Sequence, residues 1–356
     1  MMRGARWRVA VLAVAGLCTG AVGARAQRAA AAPLRFVVLG HIRGDATDRI
    51  NPKLGELLAE VRTIKPDFVV LAGDVIWGDI DHTPSRPAEV EAEWIATDSA
   101  LATLNVPVYR VPGNHDVADL GARDIWIRRY GRPPAVVTVR GTRLILLSST
   151  FFPQDGDTEH HRYIGGVDID SSQLAFLTRT LADTRFAHTF VFTGHLLWWE
   201  PDSGRWWREV HPLLAAAHVD NVFTGDYGPM KFSTRVVDGV RYYQTSMESS
   251  VPSLAMLQRR PGSRLLSGQF DNYLEVRVDR DSVRVIVQTI GELSSGMFTP
   301  ETWAAIENAP LPARSVAARI RPLVDTWKKK AALLLLLLGP LGIGVLVGRA
   351  WKGRAA

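Results

Sequence analysis

Five short clusters hold the side chains with the most chemistry in them: Gly40-His41-Ile42-Arg43-Gly44-Asp45, Gly73-Asp74, Gly113-Asn114-His115-Asp116, Gly194-His195 and Gly225-Asp226-Tyr227-Gly228. Each begins with a glycine, which lets the backbone turn sharply. Carboxylate, amide or imidazole groups follow. Such a mixture of oxygen and nitrogen donors suits Mn²⁺, Fe or Zn²⁺ better than the all-oxygen shell of Ca²⁺. Arg43 breaks the pattern. A guanidinium repels a metal cation but takes phosphate oxygens two at a time.

These clusters need a frame that brings them to one place. Apolar runs at 34–39 and 67–72 read as strands buried on both faces. Further strands are expected at 106–111, 144–149, 189–192 and 222–224. Helices are expected from Asn51, as cap, with Pro52 at the first position, to residue 64, and at 87–104 and 171–181. Alternation of strand and helix predicts an α/β sheet. All five clusters fall at the C-terminal ends of strands, where open α/β sheets bind ligands. Later the pattern changes. Residues 232–237 and 240–244 flank Asp238-Gly239 as a hairpin, and 273–278 with 282–289 form another. These predict a second, largely antiparallel sheet. His211-Pro212 starts a helix. Trp198, Trp199, Trp206 and Trp207, with Glu200, Asp202 and Arg205, have three readings: a cleft lining, a lipid contact, or plain packing of a long loop. His160 and His161 fall in a polar loop.

The two ends have a different character. Arg3, Arg6 and Arg8 precede an apolar run from Val9 to Val22, and Ala24-Arg25-Ala26 offers a cleavage site. Residues 1–26 therefore read as an export signal. Residues 291–327 read as a tether containing Pro310, Pro312 and Pro322. Residues 331–350 include six consecutive leucines, 333–338, and are long enough for a transmembrane helix. Lys328, Lys329 and Lys330 precede that span; Arg349, Lys352 and Arg354 close it. The formal charge of +6 is unevenly placed: residues 1–28 contribute +5 and residues 314–356 contribute +8, leaving −7 for residues 29–313. An acidic folded domain argues against nucleic acid as partner. The basic ends fit anionic lipid and membrane topology. The chain's single cysteine, Cys18, lies in the signal, so no disulfide is expected in residues 29–290. The expected site is the cell membrane, single-pass, with the main domain on the extracytoplasmic side.

Gly113-Asn114-His115-Asp116, with Gly73-Asp74 before it and Gly194-His195 after it, resembles the signature of the calcineurin-like metallophosphoesterases, over roughly residues 34–290. The resemblance implies an α/β sandwich of two mixed β-sheets flanked by helices, here within residues 29–290. It implies two metals sharing Asp74, with Asn114 and His195 on the second. His115 would stabilise or protonate the leaving oxygen, and Asp116 would orient its ring. The chain departs from the family at two motifs. His41 and Arg43 stand where the family has Asp-x-His. Asp226 and Gly228 stand where it has Gly-His-x-His. Asp226 can substitute as a ligand. Several outcomes remain open: one metal beside Arg43, two metals, or an Arg43 ion pair to Asp74 or Asp226 with no metal. His41 serves as a first-site ligand, as general base, or as a strand-end hydrogen-bonding group. The resemblance thus implies a phosphoester substrate hydrolysed by metal-activated water, or an inactive relative that binds a phosphate ligand or partner at the membrane.

Overall fold

A computed structural model describes residues 33–150, 168–199, 204–226, 230–247, 254–259 and 265–290. The expected signal, tether and membrane span lie outside these residues, as do His160, His161, Glu200, Asp202 and Gly228. Among the described residues no helix is long and apolar enough to cross a membrane.

In chain order the strands are β1 (Leu34–Leu39), β2 (Phe68–Ala72), β3 (Val108–Val111), β4 (Ala135–Val139), β5 (Thr142–Leu146), β6 (His188–Thr193), β7 (Asn221–Thr224), β8 (Phe232–Val237), β9 (Val240–Gln244), β10 (Leu254–Arg259), β11 (Leu266–Gln269), β12 (Asn272–Val278) and β13 (Val283–Thr289). The helices are α1 (Leu54–Ile64), α2 (Pro87–Ala102), α3 (Leu120–Tyr130), α4 (Ser171–Leu181) and α5 (His211–Ala216). A π-helical turn, Trp206–Val210, leads into α5.

Two mixed sheets form, one of five strands in the order β13-β12-β1-β2-β3 and one of eight in the order β10-β11-β8-β9-β7-β6-β5-β4. β1, β2 and β3 run parallel. So do β5, β6, β7 and β9. The later hairpins do not make a sheet of their own, as the sequence suggested. β8 and β9 extend the larger sheet beside β7, and β12 and β13 join the smaller one antiparallel to β1. The reason is hydrogen bonding: β1 and β7 each have an edge to pair, and a hairpin strand fills it, β12 antiparallel to β1 and β9 parallel to β7.

The inward faces of both sheets meet in an aromatic core. Phe36 stacks on Phe68 at 4.8 Å within one sheet and meets Phe190 of the other edge-on at 5.2 Å. Helices α1, α2 and α3 cover the outer face of the smaller sheet, and α4 and α5 that of the larger. Trp198, Trp206 and Trp207 are buried on that larger sheet around Tyr242, so they pack the fold and line neither a cleft nor a membrane. Helix α1 starts later than expected. Asn51 Oδ1 accepts from the Lys53 N–H at 3.0 Å, an Asx turn ahead of the helix, and Lys53 stands at the cap position without capping the helix through its side chain.

Candidate metal centre

The leading glycines of all five clusters form the floor on which they meet. A Cβ on Gly40 would lie 2.2 Å from the Cα of Gly225, and one on Gly73 would lie 2.8 Å from the Cα of Gly194 and 3.2 Å from that of Gly113. The ends of β1 and β2 in one sheet thus touch the ends of β6 and β7 in the other, backbone to backbone. Gly73, at φ +83°, also needs a conformation that side chains resist. The turn that follows carries Asp74 over the floor at φ 50°.

Asp74 is buried at the centre. Its Oδ1 accepts from the His115 N–H at 3.2 Å, and its Oδ2 lies 3.1 Å from His41 Nδ1. Burial opposes its charge, but His115, His41 and His195 outweigh that and hold its carboxyl far below the usual range. His41, Asp74 and Asp226 bring one ligand atom each within 4.8 Å of one another. Asp226 therefore sits with His41 and Asp74, on the side of the first metal motif. On the other side His195 Nε2 lies 3.0 Å from Asn114 Oδ1, and the Ser149 hydroxyl accepts from the His195 N–H at 2.7 Å and lies 3.2 Å from its Nδ1. The structure thus gathers Asp74, Asn114, His195, Asp226 and His41 from five strand ends.

This donor set fits a divalent transition metal. It combines imidazole, carboxylate and amide oxygen, and three of the five donors, His41, Asp74 and His195, are buried. The His195 ring is held by Ser149, the kind of outer support that metal-binding histidines use. Arg43 belongs to the loop beside this centre, with its guanidinium laid against Trp77. Its N–H donates to the Asp74 carbonyl at 3.1 Å, its Nη1 donates to the Gly44 carbonyl at 2.7 Å, and its Cζ lies 4.9 Å from the centre of the Trp77 ring.

His115 is buried, with Nδ1 2.8 Å from the Trp77 carbonyl oxygen. A carbonyl only accepts, so Nδ1 carries the proton and Nε2 of the neutral ring carries none. Burial pushes this imidazole down to about 4; Arg43 and His41 add to the push, and Asp74 opposes it. Acting as an acid therefore requires a second proton, which an anionic phosphoester beside the ring favours.

Asp116 does not orient that ring, contrary to the expectation from the motif. Its Oδ1 accepts from the N–H groups of Val75 at 2.9 Å and Ile76 at 3.2 Å, and its Oδ2 from that of Gly113 at 2.8 Å. It pins the Asp74 loop to the Asn114 loop. Burial and the charge of Asp74 push its carboxyl up to about 7, against those three donors. Trp77 takes the orienting role, and the sequence reading passed over it. The acceptor is a backbone carbonyl, so the residue type at position 77 gave no signal of it.

The family model for calcineurin-like phosphoesterases matches residues 41–244. A search of curated proteins gave no match. Among solved structures, the fold resembles a dimetal phosphatase from Danio rerio, with a TM-score of 0.50, 14% identity, and 71% of this chain and 98% of that one covered. It is also similar to GAP50 of Plasmodium, described as the anchor in the inner membrane complex, with a TM-score of 0.47, 13% identity, and coverage of 80% and 98%. At such identities the likeness is one of fold. The family model spans more than half of the chain and contains every donor named above, so the protein belongs to the calcineurin-like phosphoesterase family, metal-dependent hydrolases of phosphoric ester bonds.

Proposed function

We propose that the chain is an exported, membrane-anchored phosphoesterase that works with one divalent metal, Mn, Fe or Zn, and with Arg43 beside it in place of a second. The observation that carries this reading is the asymmetry of the site. His195 and Asn114 meet at 3.0 Å on one side of Asp74, while on the other the motif that sets His41 3.1 Å from Asp74 also carries Arg43, whose guanidinium lies 4.9 Å from the centre of the Trp77 ring. Asp74, Asn114, His195 and Asp226 would hold the metal. When bound, it supplies Lewis-acid polarisation of a phosphoryl oxygen and acidifies a water.

The protein's own groups do the rest. Arg43 is charged at every working pH and takes phosphate oxygens, neutralising charge that a second cation would otherwise meet. His41, 3.1 Å from Asp74, is placed to take a proton from the attacking water. His115 faces the leaving oxygen with Nε2. It stabilises the charge there once protonated, and Trp77 fixes which nitrogen does so. Asp116 keeps the Asp74 and Asn114 loops in register and touches no reacting atom. The basic residues bracketing 331–350 support an anchor, and the export signal read in residues 1–26 supports an acidic domain outside the cytoplasmic membrane, where a phosphoester substrate or a membrane lipid could reach it.

The test is to load the purified full-length chain with Mn²⁺, count bound metal, and follow hydrolysis of bis(p-nitrophenyl) phosphate beside an Asp74→Asn control. One metal per chain and turnover lost in the control are expected. Two metals per chain would overturn the role given to Arg43. Metal binding with no turnover above the control would favour a phosphate-binding role, which the same arginine can serve. Fractionating cells that express the chain tests the anchor, and protein that stays soluble without detergent would count against it.

A further inference from the structure

Four contacts converge on Trp77. Its carbonyl oxygen lies 2.8 Å from His115 Nδ1, and its ring centre lies 5.1 Å from that of the His115 imidazole. Its ring also carries the Arg43 guanidinium at 4.9 Å, and its Nε1–H donates to Asp81 Oδ1 at 3.1 Å. The loop that holds it is braced. Arg49 reaches Asp81 at 3.3 Å, Asp79 at 2.8 Å and Glu93 of α2 at 3.0 Å, and the other Glu93 oxygen accepts from the Gly78 N–H at 2.7 Å. Gly78, at φ +75°, packs so closely that a Cβ there would lie 2.0 Å from the His115 carbonyl oxygen. Nothing but glycine lets the loop carry Trp77 this near His115.

We propose that Trp77 is the positioning residue that sets both the Arg43 guanidinium and the His115 ring, so that one residue places the group that grips phosphate and the group that faces the leaving oxygen. This rests on the reading of the site given above. Trp77 touches no reacting atom; it acts through its two neighbours. The indole attracts a guanidinium laid over it and restricts a long side chain that would otherwise sample many rotamers. Its carbonyl assigns the tautomer of His115, because a shift of the loop would leave Nδ1 without its acceptor. The Asp81–Arg49–Glu93 brace explains why an indole is present and not a phenyl ring: only an indole has the N–H that ties the platform down.

The experiment compares the full-length chain, loaded with Mn²⁺, with Trp77→Ala, Trp77→Phe and Asp81→Ala. Calorimetry with inorganic phosphate reads the Arg43 arm. The ratio of rates on phenyl and p-nitrophenyl phosphoesters reads the His115 arm, because a poorer leaving group depends more on the acid. Trp77→Ala should weaken phosphate about tenfold and slow the phenyl ester more than the nitrophenyl ester. Trp77→Phe should recover phosphate affinity to within about threefold of wild type, since a phenyl face still attracts the cation. Asp81→Ala, a change at the surface, should move both readouts in the direction of Trp77→Ala but less. A purely structural role would lower all rates together and leave the ester ratio alone. Wild-type phosphate affinity and ester ratio in folded Trp77→Ala would overturn the proposal. If that variant does not fold, wild-type values in Asp81→Ala would do so. If the wild-type chain binds phosphate without turning over, hydrolysis fails as a reading while the phosphate arm still decides the role of Trp77. If it does neither, Arg43 grips no phosphate and the proposal falls too.

Discussion

His115 ties chemistry to stability at the level of a single side chain. Its folded pKa of about 4 lies below the ordinary value of 6.5. The unfolded chain therefore takes up a proton, as pH falls through 6.5, that the folded chain refuses until about 4. The buried neutral ring contributes fully above 6.5, and that contribution is lost as pH falls between the two values. Asp116 has the opposite slope. Its pKa is raised from 3.8 to about 7, so its contribution is present below 3.8 and is lost as pH rises through 7. The two partly cancel in the wild-type chain, and only variants separate them. For metal-free protein, urea unfolding at pH 7.5 and 4.5 should show His115→Gln gaining on wild type by roughly 2–3 kcal/mol at the lower pH. Asp116→Asn should lose ground over the same interval. A constant difference between His115→Gln and wild type at the two pH values would mean that the ring is not held neutral.

Among the elements, the buried parallel strands were the most legible part of the sequence. β1, β2, β6 and β7 are short, mostly apolar runs, and the structure places them within a residue or two of expectation. The β8–β9 hairpin was legible for a different reason. Asp238 and Gly239 have φ of 47° and 82°, the pair of positive values that a tight two-residue turn requires and that this dipeptide favours. α3 was not foreseen. Its helical pattern is broken by Arg123, which is buried yet ion-paired to the next residue, Asp124, while Trp126 packs on Trp94 of α2 at 5.6 Å. β4 was missed as well, because an edge strand alternates partly covered and exposed residues and carries little apolar signal. The site divides in the same way. Donor identities at strand ends could be read from residue types, since chemistry restricts which side chains serve. Partners across loops could not. Asp116 binds the backbone of residues 75, 76 and 113, and backbone donors leave no trace in a sequence. The orienting acceptor for His115 is likewise a carbonyl, which any residue at position 77 would supply.

For the molecule as a whole, two sheets must stay in register for five strand ends to share one centre. The aromatic core between the sheets provides cohesion without direction, and a polar clamp provides the direction. Asp271 sits at the crossover from β11 in the larger sheet to β12 in the smaller and is buried. It accepts from Lys231, at the entry to β8, at 2.5 Å and from Lys53, at the entry to α1, at 2.6 Å. Lys231 is fully buried, whereas the Lys53 side chain is 40% exposed. The cost of breaking this clamp should therefore depend on which partner is removed. Asp271→Asn removes the carboxylate that the buried Lys231 ammonium donates to and should cost about 3–5 kcal/mol in urea unfolding. Lys231→Met removes the buried cation itself, supplies an apolar chain of similar length, and leaves Asp271 paired with Lys53, so its cost should be clearly smaller. Because the clamp ties the sheets whose ends meet at Gly40 and Gly225, Asp271→Asn should also weaken Mn²⁺ binding in the fraction that stays folded, though Asp271 is not among the donors. Equal destabilisation by the two variants, or the reverse order, would mean that the pair is solvated in solution and that the sheets are held in register by packing alone.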